Sequence, residues 1–141
     1  MKNLILLFMF SIGFLTISCQ TNSQKNNEGE KSDNAISETK VISEVLAPDA
    51  FIAKLKSSNG GQLVDVRTPE EFNEGKIENS QNIDFYANDF KSKIEALDKS
   101  KPVFVYCRSG GRSAKAANIF KEAGFKEIYD LQGGYMNYSS K

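Results

Sequence analysis

The sequence contains no histidine. That absence removes the commonest general base and metal ligand, so no Ser-His or Cys-His mechanism can be built within this chain. Cysteine is scarce too. Only Cys19 and Cys107 occur, with no Cys-x-x-Cys pair, which argues against zinc and iron–sulfur sites and leaves no metal or cofactor implied. An excess of one charge is also missing: 18 basic and 18 acidic residues cancel, so nothing marks a polyanion-binding surface or a nucleic-acid partner. At 141 residues the chain has room for one domain plus appendages, not for two domains.

The apolar run near the N-terminus is short for a stable membrane span, which needs roughly 20 apolar residues. Residues 1–18, MKNLILLFMFSIGFLTIS, carry the single charge of Lys2 and then that run, the pattern of an export signal. Leu15-Thr16-Ile17-Ser18-Cys19 resembles a bacterial lipoprotein cleavage box, with the small Ser18 before the cysteine and the leucine four rather than three positions ahead of it. The resemblance implies lipid on Cys19 and a membrane-anchored protein of the bacterial cell envelope, facing the periplasm or the surface. The plainer alternative is an ordinary signal peptide with an incidental cysteine. Residues 19–40 hold one large aliphatic, Ile36, and no aromatic, too little to bury a core. They read as a disordered tether, a coil of ~20 residues spanning about 25 Å. Residues 41–141 form the domain, long enough for an adequate core. If Cys19 carries lipid, Cys107 has no partner within the chain, and an unpaired cysteine in an exported protein needs a use or a deep burial.

Helical and strand signals alternate along the domain. Pro48-Asp49 opens a helix with Phe51, Ile52 and Leu55 on one face, and Gly60-Gly61 ends it. Leu63–Val66 is a short buried strand. Thr68-Pro69-Glu70-Glu71 supplies an N-cap, a first-turn proline and two first-turn acids. Asn82-Ile83 is a further short strand, and Phe90, Ile94 and Leu97 have helical spacing. Val103–Tyr106, following Pro102, has strong strand character. The pattern turns helical from about Gly111 to Ala123, with Gly124 suited to its C-cap. Glu127–Leu131 is the last strand, and Gly133-Gly134 turns into a short terminal segment. This alternation predicts an α/β domain with a mainly parallel sheet.

Cys107 falls just past the carboxyl end of a central strand, in a loop that feeds a helix N-terminus, where open α/β sheets bind ligands. Gly110 and Gly111 permit positive φ and close backbone approach. Successive amides can then form an anion-binding nest backed by the helix dipole. Those amides, with Arg108 and Arg112, are expected to lower the Cys107 pKa and favour the nucleophilic thiolate without a histidine. A small buried hydrophobe is the bland alternative for Cys107.

CRSGGRS (107–113), preceded by VFVY, resembles the active-site loop of the rhodanese domain. DVRTPEEFNEGKIENSQNI (65–83) and LQGGYMNY (131–138) agree with the same family in order and spacing. The resemblance implies a compact α/β domain with a five-stranded sheet flanked by helices, and sulfur transfer through a cysteine persulfide; the chain is expected to be a monomer. The resemblance makes Cys107 the persulfide-forming residue. Arg108, Ser109, Gly110, Gly111 and Arg112 become the loop that cradles the transferred sulfur, with Arg112 also attracting anionic donors. Ser113 opens the following helix, where its hydroxyl reaches the sulfur or caps the turn. Asp65 and Arg67 are expected to form a structural ion pair, and Glu70 and Glu71 to be helix-start charges. Two positions depart from the family pattern: Lys76 stands where histidine is frequent, and Tyr138 where tryptophan is usual.

The expected reaction takes a sulfane sulfur from a small anionic donor such as thiosulfate and passes it to a thiol or to cyanide. Cysteine phosphatases share the architecture, but their arginine lies six positions after the cysteine. Arg112 is five positions after Cys107, a loop better sized for one sulfur atom than for phosphate. Arsenate reduction on such a loop is equally weak. A non-catalytic sulfur carrier or partner-binding module at the cell envelope is the remaining alternative.

Overall fold

The computed structural model describes residues 40–140. The expected export signal, Cys19 and nearly all of the tether lie outside the described residues. Five strands build one sheet: β1 (Ile42–Leu46), β2 (Gln62–Asp65), β3 (Gln81–Asn82), β4 (Val103–Tyr106) and β5 (Glu127–Leu131). Their order is β1-β5-β4-β2-β3, and every pairing is parallel. The helices are α1 (Pro48–Ser57), α2 (Pro69–Glu74), α3 (Phe90–Glu95), α4 (Gly111–Glu122) and α5 (Gly134–Ser139).

All of β4, Val-Phe-Val-Tyr, is buried, as a central parallel strand covered on both faces must be. Period-two alternation sends its residues into two separate cores. Val103, Val105 and Cys107 pack with Phe90 and Ile94 of α3 and Ala116, Ala117 and Phe120 of α4. On the other side Phe104 and Tyr106 pack with Phe51 of α1, Ile77 and Tyr129. Phe104 stacks on Tyr129 at 4.9 Å between centroids and meets the edge of Phe51 at 5.4 Å. Burying an aromatic of this kind contributes roughly 2–3 kcal/mol.

The residue pattern announced four of the five strands. The one it missed is β1, which runs along β5 from Ile42↔Glu127 to Leu46↔Leu131. It is an edge strand with only its ends partly covered, and Val45 is 66% exposed, so it lacks the continuous apolar run of β4. Helix α1 stops at Ser57, ahead of the expected Gly60-Gly61, where Ser57 and Ser58 hydroxyls donate to the Lys54 carbonyl. Strand β3 ends at Asn82, one residue short of Ile83, though the Ile83 amide still donates to the Asp65 carbonyl at 2.9 Å.

This topology fixes where a site can form. β2 leads outward to β3 while β4 leads back to β5, so the connections after β2 and β4 leave these adjacent strands in opposite directions. The crevice at their carboxyl ends is the switch point at which open parallel sheets bind ligands. Asp65 closes β2 there, and Cys107 follows β4.

Candidate active site

The first two carbonyls of the Cys107–Arg112 loop are turned to α5. The Cys107 and Arg108 carbonyls accept hydrogen bonds from the amides of Tyr135 (2.8 Å) and Met136 (3.0 Å), in the first turn of α5. Gly134 makes that approach possible. With φ of +62°, its position would put a Cβ 2.5 Å from the Cys107 carbonyl oxygen and 2.6 Å from the Arg108 carbonyl. With the carbonyls so held, the Gly110 amide donates to Cys107 Sγ at 3.1 Å.

Only one of the two loop glycines uses its special freedom. Gly110 is left-handed, φ +104°, and caps α4. Gly111 begins α4 with no positive φ, and nothing lies within 4 Å of where its Cβ would stand. Of the two glycines that permit positive φ, Gly110 alone adopts it.

Cys107 is 1% exposed. Burial pushes its pKa up, but hydrogen bonds from the Ser113 amide and hydroxyl and from the Ser109 and Gly110 amides outweigh it and bring the thiol below its ordinary value. The loop therefore favours a thiolate through amides and one hydroxyl, with the charge of Arg112 ranking behind them.

Arg112 is engaged elsewhere. Its guanidinium donates to both carboxylate oxygens of Glu71, at 2.6 and 2.7 Å, and lies over the Tyr86 ring at 5.8 Å. Glu71 also closes a capping box with Thr68 at the start of α2. Glu71 is thus more than a helix-start charge: it ties α2 to the cysteine loop. The Arg112 hydrogen bonds bring its pKa down to about 2. Arg108 is exposed and makes no ion pair among the described residues. It borders a cleft of about 450 Å³ shared with Arg67, Glu71, Glu74, Tyr135 and Met136. Glu70 lies outside this cluster and is exposed.

Asp65 and Arg67 form a buried bidentate pair, Arg67 Nη2 to Oδ2 at 2.6 Å and Nε to the same carboxylate at 2.9–3.0 Å. Arg67 also donates to the Gly75 carbonyl at 2.6 Å and stacks over Tyr135 at 4.2 Å. The pair pins the segment after β2 beneath α5, on the sheet face opposite Cys107.

Three contributors escaped sequence reasoning. Gly134 was read only as a turn into the terminal segment, not as the close approach to the cysteine loop. Glu71's cross-link needed three-dimensional proximity. Asp130, a carboxyl set between the apolar Ile128, Tyr129 and Leu131, carried a readable signal: it is 6% exposed in β5.

Residues 48–141 match the family described as Rhodanese-like domain. The thiosulfate sulfurtransferase GlpE of Pseudomonas aeruginosa strain LESB58 is 38% identical over 91 residues, 64% of this chain and 78% of the relative. The uncharacterized protein YqhL of Bacillus subtilis is 34% identical over 100 residues, covering 71% and 75%. A tRNA uridine(34) hydroxylase of Cytophaga hutchinsonii is 36% identical over 103 residues, which make up 71% of this chain but 33% of that protein. Among solved structures, a rhodanese-related protein of Thermoplasma volcanium superposes with a TM-score of 0.60 at 28% identity, covering 69% of this chain and 91% of that one. Fold, loop and family match agree, and the chain belongs to the rhodanese-like domain family.

Proposed function

We propose that the protein is a sulfurtransferase that carries a sulfane sulfur on Cys107. The Cys107 thiolate attacks the outer sulfur of a donor such as thiosulfate. A Cys–S–S bond forms, the bond to the sulfite sulfur breaks, and sulfite leaves with its electron pair. Cyanide, or a thiolate in the cell, then attacks the outer persulfide sulfur and regenerates the Cys107 thiolate. No base is required at the cysteine if it is already ionised, which suits a chain without histidine. The observation that carries this reading is the Gly110 amide directed at Sγ inside a loop whose carbonyls are held away. The same amides suit the negative charge of a terminal persulfide sulfur. Arg108, exposed at the loop, is the cation available to draw in an anionic donor, since Arg112 is neutralised by Glu71.

A second reading is a sulfur carrier or partner-binding module with little turnover. It is favoured by Tyr86 and Met136, which stay 69% and 53% exposed beside Arg112 and Arg108. Large exposed side chains next to a reactive loop suit a macromolecular acceptor. For either reading, the sequence around Cys19 supports export and lipid attachment at the bacterial cell envelope, with the domain on a tether.

Intact-mass measurement of the full chain after thiosulfate treatment, with Cys107→Ser as control, tests the proposal. The expected result is a gain of about 32 Da on Cys107, one sulfur as persulfide, removed by cyanide with release of thiocyanate. A folded protein with a free Cys107 thiol and no mass gain overturns thiosulfate sulfur transfer. A mass gain with negligible turnover selects the carrier.

A further inference from the structure

Two carboxyls are buried among the described residues. Asp65 is paired with Arg67; Asp130 has no such partner, and its Oδ1 makes no hydrogen bond. An orphaned oxygen of that kind costs on the order of 1–3 kcal/mol and calls for an explanation.

Its position suggests one. Val105 is the register partner of Asp130, two residues before Cys107. Ile128 shares the core of Val105 and Cys107, whereas Tyr129 and Leu131 point into the opposite core. Asp130 therefore lies on the same sheet face as Cys107, beneath the start of α4. Between the two stands Ser113, fully buried, whose hydroxyl interacts with both Cys107 and Asp130 and also donates to the Gly110 carbonyl at 3.0 Å. A hydroxyl has one proton and cannot satisfy three acceptors.

We propose that Asp130 is a positioning residue for Cys107, its ionisation deciding whether the single Ser113 hydroxyl proton points toward the sulfur or away from it. This rests on the reading of Cys107 as the sulfur-accepting nucleophile. When Asp130 is ionised, its carboxylate competes for the Ser113 proton and adds a like charge beneath the thiolate. When Asp130 is protonated, its own O–H donates to Ser113 Oγ, and the Ser113 proton is free to reach Sγ. Burial favours the neutral form and raises the Asp130 carboxyl to about 6, so both states are accessible near neutrality.

Other groups do not confuse the coupling. On this face β4 presents Val103 and Val105 with Cys107, β1 presents Val45 as the register partner of Asp130, and α4 covers it with Ser113 and Ala116. Arg112 turns to Glu71 and Tyr86, and Glu127, on the same strand as Asp130, accepts from Tyr129. Asp130 and Cys107 both interact with Ser113, so their ionisations are coupled through its hydroxyl.

The test is alkylation of the full chain by iodoacetamide, a neutral reagent, as a function of pH with no sulfur donor present. Modification is followed on the Cys107 peptide by mass spectrometry. Wild type is expected to give a curve broader than a one-proton titration. Asp130→Asn, nearly isosteric and permanently uncharged, is expected to sharpen the curve, to match wild type below about pH 6, where Asp130 is neutral, and to react about threefold faster between there and the plateau, which corresponds to half a pH unit. In a Ser113→Ala background the same change should have less than half that effect. Superimposable wild-type and Asp130→Asn curves, or a slower variant, overturn the proposal. Should Asp130→Asn fail to fold, the wild-type curve decides: a single-proton shape overturns it. Alkylation needs no sulfur transfer, so an absent persulfide beside an intact difference between the curves would remove the activity and leave the coupling standing.

Discussion

Glu71 and Arg112 are 41 positions apart in the chain, yet the carboxylate of one receives both terminal nitrogens of the other. The pair joins the helix after β2 to the helix after β4, across the crevice where the cysteine sits.

Removing it should cost stability in a pH-dependent way. Glu71 has a folded pKa of about 2, below its ordinary 4.5, because Arg112 stabilises the carboxylate. A depressed carboxyl stabilises the fold above its unfolded pKa, and that contribution is lost as pH falls from about 4.5 toward about 2. Glu71→Gln is expected to lower unfolding free energy by on the order of 2 kcal/mol at neutral pH, allowing for partial exposure of the pair. Urea unfolding of both proteins should converge as the pH approaches the acid limit. A gap independent of pH would show that packing, not charge, links the two helices.

Gly134 and Gly111 should respond oppositely to alanine. At Gly134 a methyl group would collide with the Cys107 and Arg108 carbonyls at 2.5–2.6 Å, on a left-handed backbone. Gly134→Ala is expected to lose more than about 2 kcal/mol and to slow Cys107 alkylation. Gly111→Ala meets open space in a helix, so it should be neutral or stabilising by up to about 1 kcal/mol. Thermal melts paired with alkylation rates distinguish them. Equal damage at both sites would mean the loop tolerates no Cβ anywhere.

Ser113→Ala removes a hydroxyl that helps hold the thiolate. Its Cys107 alkylation curve should shift to higher pH, with a rate about fivefold lower below about pH 6, where Asp130 is neutral and the hydroxyl is free to reach the sulfur, matching one hydrogen bond of about 1 kcal/mol. An unmoved curve would assign thiolate stabilisation to the amides alone.

Arg67→Ala strands the fully buried Asp65 carboxylate. Loss of one partner from such a pair costs about 3–5 kcal/mol, which equilibrium unfolding would register. Arg67→Lys should recover little, because an ammonium cannot reproduce the fork on Asp65, the bond to the Gly75 carbonyl and the stacking on Tyr135 together.

What could be read from the residues follows from where each signal resides. Val103–Tyr106 was legible because a strand buried on both faces is apolar throughout. The Cys107 loop was legible because glycine and cysteine beside a helix start are locally constrained chemistry. β1 was not, because an edge strand buries so little that its side chains are barely selected. The bond from Glu71 to Arg112 was not, because it joins distant segments that only the sheet order brings together. Which of the two loop glycines turns was not legible either: a Gly-Gly pair looks uniform in sequence, while only the first glycine takes the left-handed turn.

The seating of α5 on the cysteine loop means that reactivity is held by one of the smallest cooperative units in the domain. Helix α5 has six residues, and its first amides alone fix the Cys107 and Arg108 carbonyls. Short terminal helices open with little free energy. Once α5 frays, those carbonyls can rotate inward and oppose the charge that the amides support. Warming should therefore silence the thiol while the parallel sheet is still intact, and the protein would have two melting points, the lower one belonging to its chemistry.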